Sequence, residues 1–159
     1  MTSAIRHTRI AVLSDTHGLL RPEVIAKIQG VDHILHAGDV GNADFLDQLS
    51  AIAPVTAIRG NIDVHSPCAD LPATEMVEIA GVTFYLVHSV ADLDISPTAA
   101  GVRVVISGHS HKPGHDTRNG VLYLNPGSVG PRRFKLPIAM AFVMISEGNI
   151  TVEPIEFDA

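Results

Sequence analysis

The segment Val102-Arg103-Val104-Val105-Ile106-Ser107-Gly108-His109-Ser110-His111 decides how this chain is read. Its first half is an apolar, β-branched run of the kind that forms a buried strand. It ends in two histidines with one residue between them. Imidazoles so placed at a strand end pack poorly, but they make good ligands, one for each of two neighbouring cations. Alone, such a pair is a weak signal. It gains weight because four upstream strand ends also finish in ligand-type residues: Asp15 with His17, then Asp39, Asn61 and His88.

Working outward, residues 9–14 (RIAVLS) read as a strand that runs into the polar turn Asp15-Thr16-His17-Gly18. A helix follows over Arg21–Ile28, with proline in its first turn and Gly30 as its stop. Ile34 and Leu35 lead into Ala37-Gly38-Asp39, and Asn42 can cap a helix from Ala43 to about Ile52. Val55–Ile58 leads to Arg59-Gly60-Asn61, and residues 62–74 read as a loop. Met76–Ile79 and Val82–Val87, joined by Ala80-Gly81, read as a hairpin ending at His88. Residues 91–100 are weakly helical and interrupted by Pro97. The tail contributes three strand-like runs, 120–125, 138–145 and 149–157, with a tight turn at Asn125-Pro126-Gly127-Ser128. Alternating strands and helices followed by consecutive strands predict an α/β fold of two packed mixed sheets with helices on the outer faces. Residues 1–159 are expected to form a single domain.

Composition narrows the function. A chain of 159 residues that is 46% hydrophobic is long enough and apolar enough to bury a core. A net charge of −6 disfavours broad binding to nucleic acid or to an anionic membrane. It leaves phosphate chemistry open, because bound divalent ions reverse the local potential. Nine histidines raise the prior on metal binding, and a lone cysteine, Cys68, excludes an internal disulfide and any cysteine-based zinc site. Without a signal-type leader or a run of membrane-spanning length, the expected location is the cytoplasm.

The ligand-type residues recur about one strand–helix unit apart. In open α/β sheets the C-terminal strand ends gather on one edge, so residues distant in sequence converge there. Carboxylate, imidazole and amide donors suit Mn²⁺, Zn²⁺, Fe²⁺ or Ni²⁺ and do not suit Cu(I) or an iron–sulfur cluster. Seven donors are too many for one tetrahedral ion but serve two ions that share a carboxylate.

The ordered pattern D-x-H, G-D, G-N, H, G-H-x-H resembles the calcineurin-like metallophosphoesterase superfamily. Within it, the chain is similar to the small single-domain bacterial and archaeal phosphodiesterases, from Ile10 to about Ser128. The resemblance implies the metallophosphoesterase αββα sandwich. It implies that Asp15, His17 and His111 hold one metal, that Asn61, His88 and His109 hold another, and that Asp39 bridges the two. Asp39, Asn61 and His88 are then the residues closest to the chemistry. The reaction so implied is hydrolysis of a phosphodiester, or also a monoester, by a hydroxide bridging two ions about 3.5–4 Å apart, most naturally Mn²⁺. The substrate expected is a small phosphodiester or nucleotide-like molecule, with neither membrane nor nucleic acid as partner.

The chain departs from that pattern twice. Ile62 stands where many members carry a histidine after the G-N block, and His88-Ser89-Val90 lacks the second histidine of an H-G-H. Both changes remove candidate proton donors, for which Asp63 or water is the expected substitute. The missing histidine after His88 also keeps alive a second reading, since the same fold serves as a binding scaffold in a retromer subunit. Among the remaining residues, His7, His33, His65 and His115 are expected to face solvent, and His36 to be a partly buried strand residue. Arg59 is a candidate to steer phosphate. Arg132, Arg133 and Lys135 form a small basic cluster, and apolar strand surface in the tail is the candidate contact for a homo-oligomer.

Overall fold

The computed structural model describes residues 7–158. Ten strands and two α-helices follow in chain order: β1 (His7–Leu13), α1 (Pro22–Lys27), β2 (His33–His36), α2 (Ala43–Ser50), β3 (Val55–Ala57), β4 (Thr74–Ile79), β5 (Val82–Val87), β6 (Val104–Ile106), β7 (Gly114–Arg118), β8 (Val121–Asn125), β9 (Ile138–Ser146) and β10 (Asn149–Phe157). They form two five-stranded sheets, β10-β9-β1-β2-β3 and β4-β5-β6-β8-β7. Each sheet is mixed. The strands β1, β2 and β3 are parallel, as are β5, β6 and β8, while β9, β10, β4 and β7 pair antiparallel.

Two-residue alternation along β1 explains why it is apolar throughout. Ile10 and Val12 point between the sheets, against Leu35, Phe84, Leu86, Ile106 and Val143. Ala11 and Leu13 point outward, against Val24 of α1, Ile28 at its C-cap and Leu49 of α2. A strand covered on both faces needs no polar side. Pro22 opens α1, and the side chain of Asn42 accepts from Asp44 N at the start of α2.

The second sheet is flanked differently from expectation. Residues 91–100 do not form an α-helix. They make a 3₁₀ turn at Val90–Asp92 followed by hydrogen-bonded turns, and Leu93 and Ile95 pack on Tyr85, Val87 and Val105. Pro97 lacks the N–H that a helix interior requires. The edge strand β7 (GHDTR) is exposed along its whole length, so it carries no apolar periodicity to announce it. In the tail, Ile150 and Val152 pack on the inner core and Ile155 and Phe157 on the outer one. Part of the tail's apolar surface thus packs against the chain's own two cores.

What matters for the site is direction. The parallel strands β1, β2 and β3 of one sheet, and β5 and β6 of the other, end at the same edge of the sandwich. Asp15 follows β1, Asp39 follows β2, Asn61 follows β3, His88 follows β5, and His109 and His111 follow β6.

Candidate metal centre

The turns after these strands are tied to one another through the backbone. Asp15 N donates to Gly38 O (3.0 Å), His17 N to Asp39 O (2.9 Å) and Gly108 N to His88 O (2.9 Å). Five of the nine non-glycine residues with positive φ among the described residues lie here: Asp15, His17, Asp39, His109 and His111. Each costs about 1 kcal/mol or more, so the surrounding structure must hold it. Such strain concentrated in one place marks a functional site.

All seven sequence-predicted residues are brought to this edge. Asp15, His17 and His111 present donor atoms within 4.8 Å of one another, and so do Asp15, Asp39 and His88. Asp15 Oδ1 lies 3.6 Å from His17 Nε2, 3.5 Å from His111 Nε2 and 3.8 Å from His88 Nε2. Asp39 Oδ2 lies between His17 Nε2 (3.3 Å) and His88 Nε2 (3.2 Å). Asn61 Oδ1 faces His88 Nε2 at 3.1 Å and His109 Nδ1 at 3.3 Å. Asp15 therefore reaches both groups, a connection the order of the motifs does not reveal.

The hydrogen bonds around these atoms decide whether the cluster suits a cation. Asp15 Oδ2 is satisfied by Ser14 Oγ (2.6 Å) and His109 N (3.0 Å), which leaves Oδ1 buried and without a partner. The Nε2 atoms of His17 and His111 are likewise buried and unpartnered. A buried acceptor left open costs about 1–3 kcal/mol, so these groups do not turn inward without compensation. His88 sharpens the argument. Its Nδ1 lies 2.7 Å from the Ala37 carbonyl, which can only accept, so Nδ1 carries the proton. In the neutral ring, Nε2 is then a lone pair facing two oxygens, Asp39 Oδ2 and Asn61 Oδ1. Three acceptors so arranged repel unless a proton or a cation sits among them. The donors fit a metal centre, with the Ala37 carbonyl orienting His88 from behind.

Without an ion, a proton fills that place. Burial works against ionised Asp39, but hydrogen bonds from His88 and from Ile62 N outweigh it and hold the carboxyl at about 2. Burial also opposes charge on His88, and the adjacent Asp39 overrides it and raises the imidazole. His111 is lowered, chiefly by burial and also by Arg133 and His17, against the opposing pull of Asp15 and Asp39.

Small and polar residues build the cradle. A Cβ on Gly60 would run into Asp39 Oδ1, and one on Gly108 into Ser14 Oγ, so only glycine allows these turns to close. Asn125 Nδ2 donates to Gly108 O (3.0 Å) and Ser110 Oγ (3.1 Å), and Ser128 Oγ donates to Asp15 O (2.9 Å). The Asn125–Ser128 turn thus braces the ligand loops. His36 is fully buried rather than partly so. Gly38 N donates to its Nδ1 (3.1 Å), and its Nε2 lies 3.1 Å from Thr16 Oγ1. The sequence reading gave Ser14 and Thr16 no role at the site and read His36 only as a strand residue. A polar triplet closing an apolar strand, as Ser14 to Thr16 does, is the signal that was available.

Two expectations change. Asp63 is not a spare proton donor: its buried carboxylate accepts from Val40 N (3.0 Å), Gly41 N (3.0 Å) and Gly60 N (2.9 Å). It clamps the Asp39 and Asn61 turns together. His33 is half-buried, its Nε2 lying 2.9 Å from Thr56 Oγ1. Arg59 lines a cleft of about 610 Å³ together with Asn61, His88, Ser89, Asp92 and His109, so substrate has room beside the donors.

This geometry agrees with comparison to known proteins. Residues 8–148 match the calcineurin-like phosphoesterase superfamily domain. The chain belongs to that superfamily. A probable metallophosphoesterase of Methanocaldococcus jannaschii is 33% identical over 160 residues, covering 92% of this chain and 81% of its own length. Two solved structures share the fold. Vacuolar protein sorting 29 of Cryptosporidium parvum superposes with a TM-score of 0.75 at 19% identity, over 96% of this chain and 99% of that one. A novel archaeal phosphodiesterase superposes with a TM-score of 0.73 at 22% identity, over 94% of this chain and 100% of that one. Family membership and the clustered donors together support a metal-dependent phosphoesterase. No helix among the described residues is long and apolar enough to cross a membrane.

Proposed function

We propose that the protein hydrolyses a small or nucleotide-like phosphodiester, and a monoester less well, with two divalent ions. Asp15, His17 and His111 would hold one ion, Asn61, His88 and His109 the other, with Asp39 between them. When bound, the ions supply Lewis acidity toward phosphate oxygens and an activated water as nucleophile. The observation that carries this reading is Asp39 Oδ2, which stands 3.3 Å and 3.2 Å from imidazoles assigned to different ions. The protein's own part is orientation. Ala37 O keeps the His88 lone pair turned inward, Ser14 and His109 N leave one oxygen of Asp15 free, and Arg59 lies along the cleft where the ester would rest. The donor types favour Mn²⁺, with Zn²⁺, Fe²⁺ or Ni²⁺ as substitutes. A lone cysteine fits a reducing cytoplasm as its location.

The test is hydrolysis of bis-p-nitrophenyl phosphate by metal-stripped protein, with and without added Mn²⁺, beside Asp39→Ala. Turnover that needs Mn²⁺ and disappears in the variant supports the reading. One observation favours a second reading, a catalytically weak scaffold that binds a protein partner. Ile62 and Val90, at the positions where histidines are expected, are 38% and 47% exposed beside the centre. Full metal occupancy without any turnover would select that alternative.

A further inference from the structure

Beyond the metal centre, the chain carries one concentrated basic and aromatic feature, the excursion Pro131-Arg132-Arg133-Phe134-Lys135-Leu136. Three of the eleven Lys and Arg residues of an acidic chain fall within these six positions. Phe134 is 89% exposed, a large apolar surface left in water at a cost no internal contact offsets. None of Arg132, Arg133 and Lys135 forms an ion pair with a carboxylate among the described residues.

The excursion is rooted in the metal centre. Ser128 and Ile138 close its base as a parallel bridge, and Ser128 Oγ donates to the carbonyl of Asp15. Gly130 lies so close to the carbonyls of Asp15 and Thr16 that a Cβ there would collide with both. Arg21 fastens the stem from outside, donating to Val129 O (3.2 Å) and Gly130 O (3.1 Å). The tip turns back on itself, with Leu136 N donating to Arg133 O (3.1 Å). The loop therefore projects from the Asp15 side of the centre on a braced stem. The opposite side, beyond Asn61 and His109, opens on a cleft that contains Asp92 and Asp94. That cleft carries Arg59 beside these two carboxylates, whereas the loop carries three cations and no carboxylate.

We propose that the 131–136 loop is a subsite for the aromatic and anionic portion of the substrate, a nucleotide whose base stacks on Phe134 and whose phosphate meets Arg132, Arg133 and Lys135. This rests on the phosphoesterase reading and names its substrate class. A planar base suits a lone exposed ring, and each cation beside it adds attraction for phosphate. An acidic protein has little reason otherwise to gather unpaired cations around an exposed phenyl ring on a stem braced against Asp15 and Thr16.

The test is calorimetric titration of the Mn²⁺-loaded protein with ADP and, separately, with inorganic pyrophosphate, which has the charge without the ring. Phe134→Ala should weaken ADP about tenfold and leave pyrophosphate unchanged, while Phe134→Tyr keeps ADP affinity. The pair Arg132→Ala and Arg133→Ala should weaken both probes. Equal affinity of the wild-type protein for the two probes, or an ADP affinity indifferent to Phe134→Ala, would overturn the proposal. So would binding to phosphatidylserine vesicles that depends on Phe134 while ADP binding does not, since the loop would then be a membrane contact. Hydrolysis of bis-p-nitrophenyl phosphate by the wild-type protein is measured in parallel. Its absence in the wild-type protein would refute the phosphoesterase reading, while the titrations would still decide the loop.

Discussion

Asp15 Oδ1 and His111 Nε2 face each other across 3.5 Å, both buried and neither with a hydrogen-bond partner. The two are ninety-six positions apart in sequence, at the ends of strands in different sheets. A cation between such groups binds the folded chain and has no comparable site in the unfolded one. Added metal must therefore stabilise the fold by mass action. At a concentration about one hundredfold above Kd, Mn²⁺ should contribute about 2.7 kcal/mol, which for a chain of this size is about 5–10 °C in Tm. Thermal melts of stripped protein with and without Mn²⁺ would show it. Asp39→Ala should lose most of the shift, and equal melts for loaded and stripped wild-type protein would contradict the metal assignment.

Asp63 has a structural role that can be separated from catalysis. Replacing it with alanine leaves the N–H groups of Val40, Gly41 and Gly60 without their acceptor. The expected loss is about 3–5 kcal/mol, read as a lower urea midpoint. With Asp63 so engaged and Ile62 and Val90 offering no proton, protonation of the leaving group falls to solvent. Rates should then rise steeply as the leaving group becomes more acidic. Comparable rates for nitrophenyl and alkyl esters would show that a protein acid has been overlooked.

How much of this was legible in the sequence depends on where each residue gets its constraint. The strand ends were readable because β1, β5 and β6 are apolar on both faces and the residues that follow are not. The helix at Ala43 was readable from its cap at Asn42 and its apolar face. By contrast, β7 has no buried side, and its place in the sheet comes from pairing with β8 alone. Within the site, the donor residues could be found by type, but their connections could not. That Asp15 reaches toward His88, and that Asp63 turns back onto three amides, follows from how the turns cross. Crossing turns leave no periodic trace in the chain.

His36 makes stability depend on pH. Burial is the main reason its imidazole drops to about 4 from an ordinary 6.5. The hydrogen bonds agree, since Gly38 N already donates to Nδ1, the atom a second proton would occupy. Between these values the unfolded chain binds a proton that the folded chain refuses. Stability is thus complete above about pH 6.5 and declines as pH falls toward 4, by about 3 kcal/mol from this group. Urea unfolding from pH 4 to 7 on stripped protein should show the slope, and His36→Asn should remove that part of it. An identical slope in both proteins would assign the pH dependence to other groups.

Gly60 offers a way to disturb the centre without touching a donor. Its backbone is not in the left-handed region, so alanine is tolerated conformationally, but the added Cβ meets both Asp39 Oδ1 and the Asp39 backbone nitrogen. Relieving the clash must move the carboxylate that stands between His17 and His88. Overpacking of this kind costs about 1–3 kcal/mol. If the displaced group is the shared donor proposed above, the cost should fall largely on metal affinity, weakening Mn²⁺ binding about 10- to 100-fold. Equilibrium dialysis against Mn²⁺ measures this directly. Gly114→Ala is the control, because a Cβ there meets nothing within 4 Å and the backbone again needs no positive φ. If Gly60→Ala and Gly114→Ala bind Mn²⁺ as well as wild type does, Asp39 is not the residue that joins the two halves of the centre.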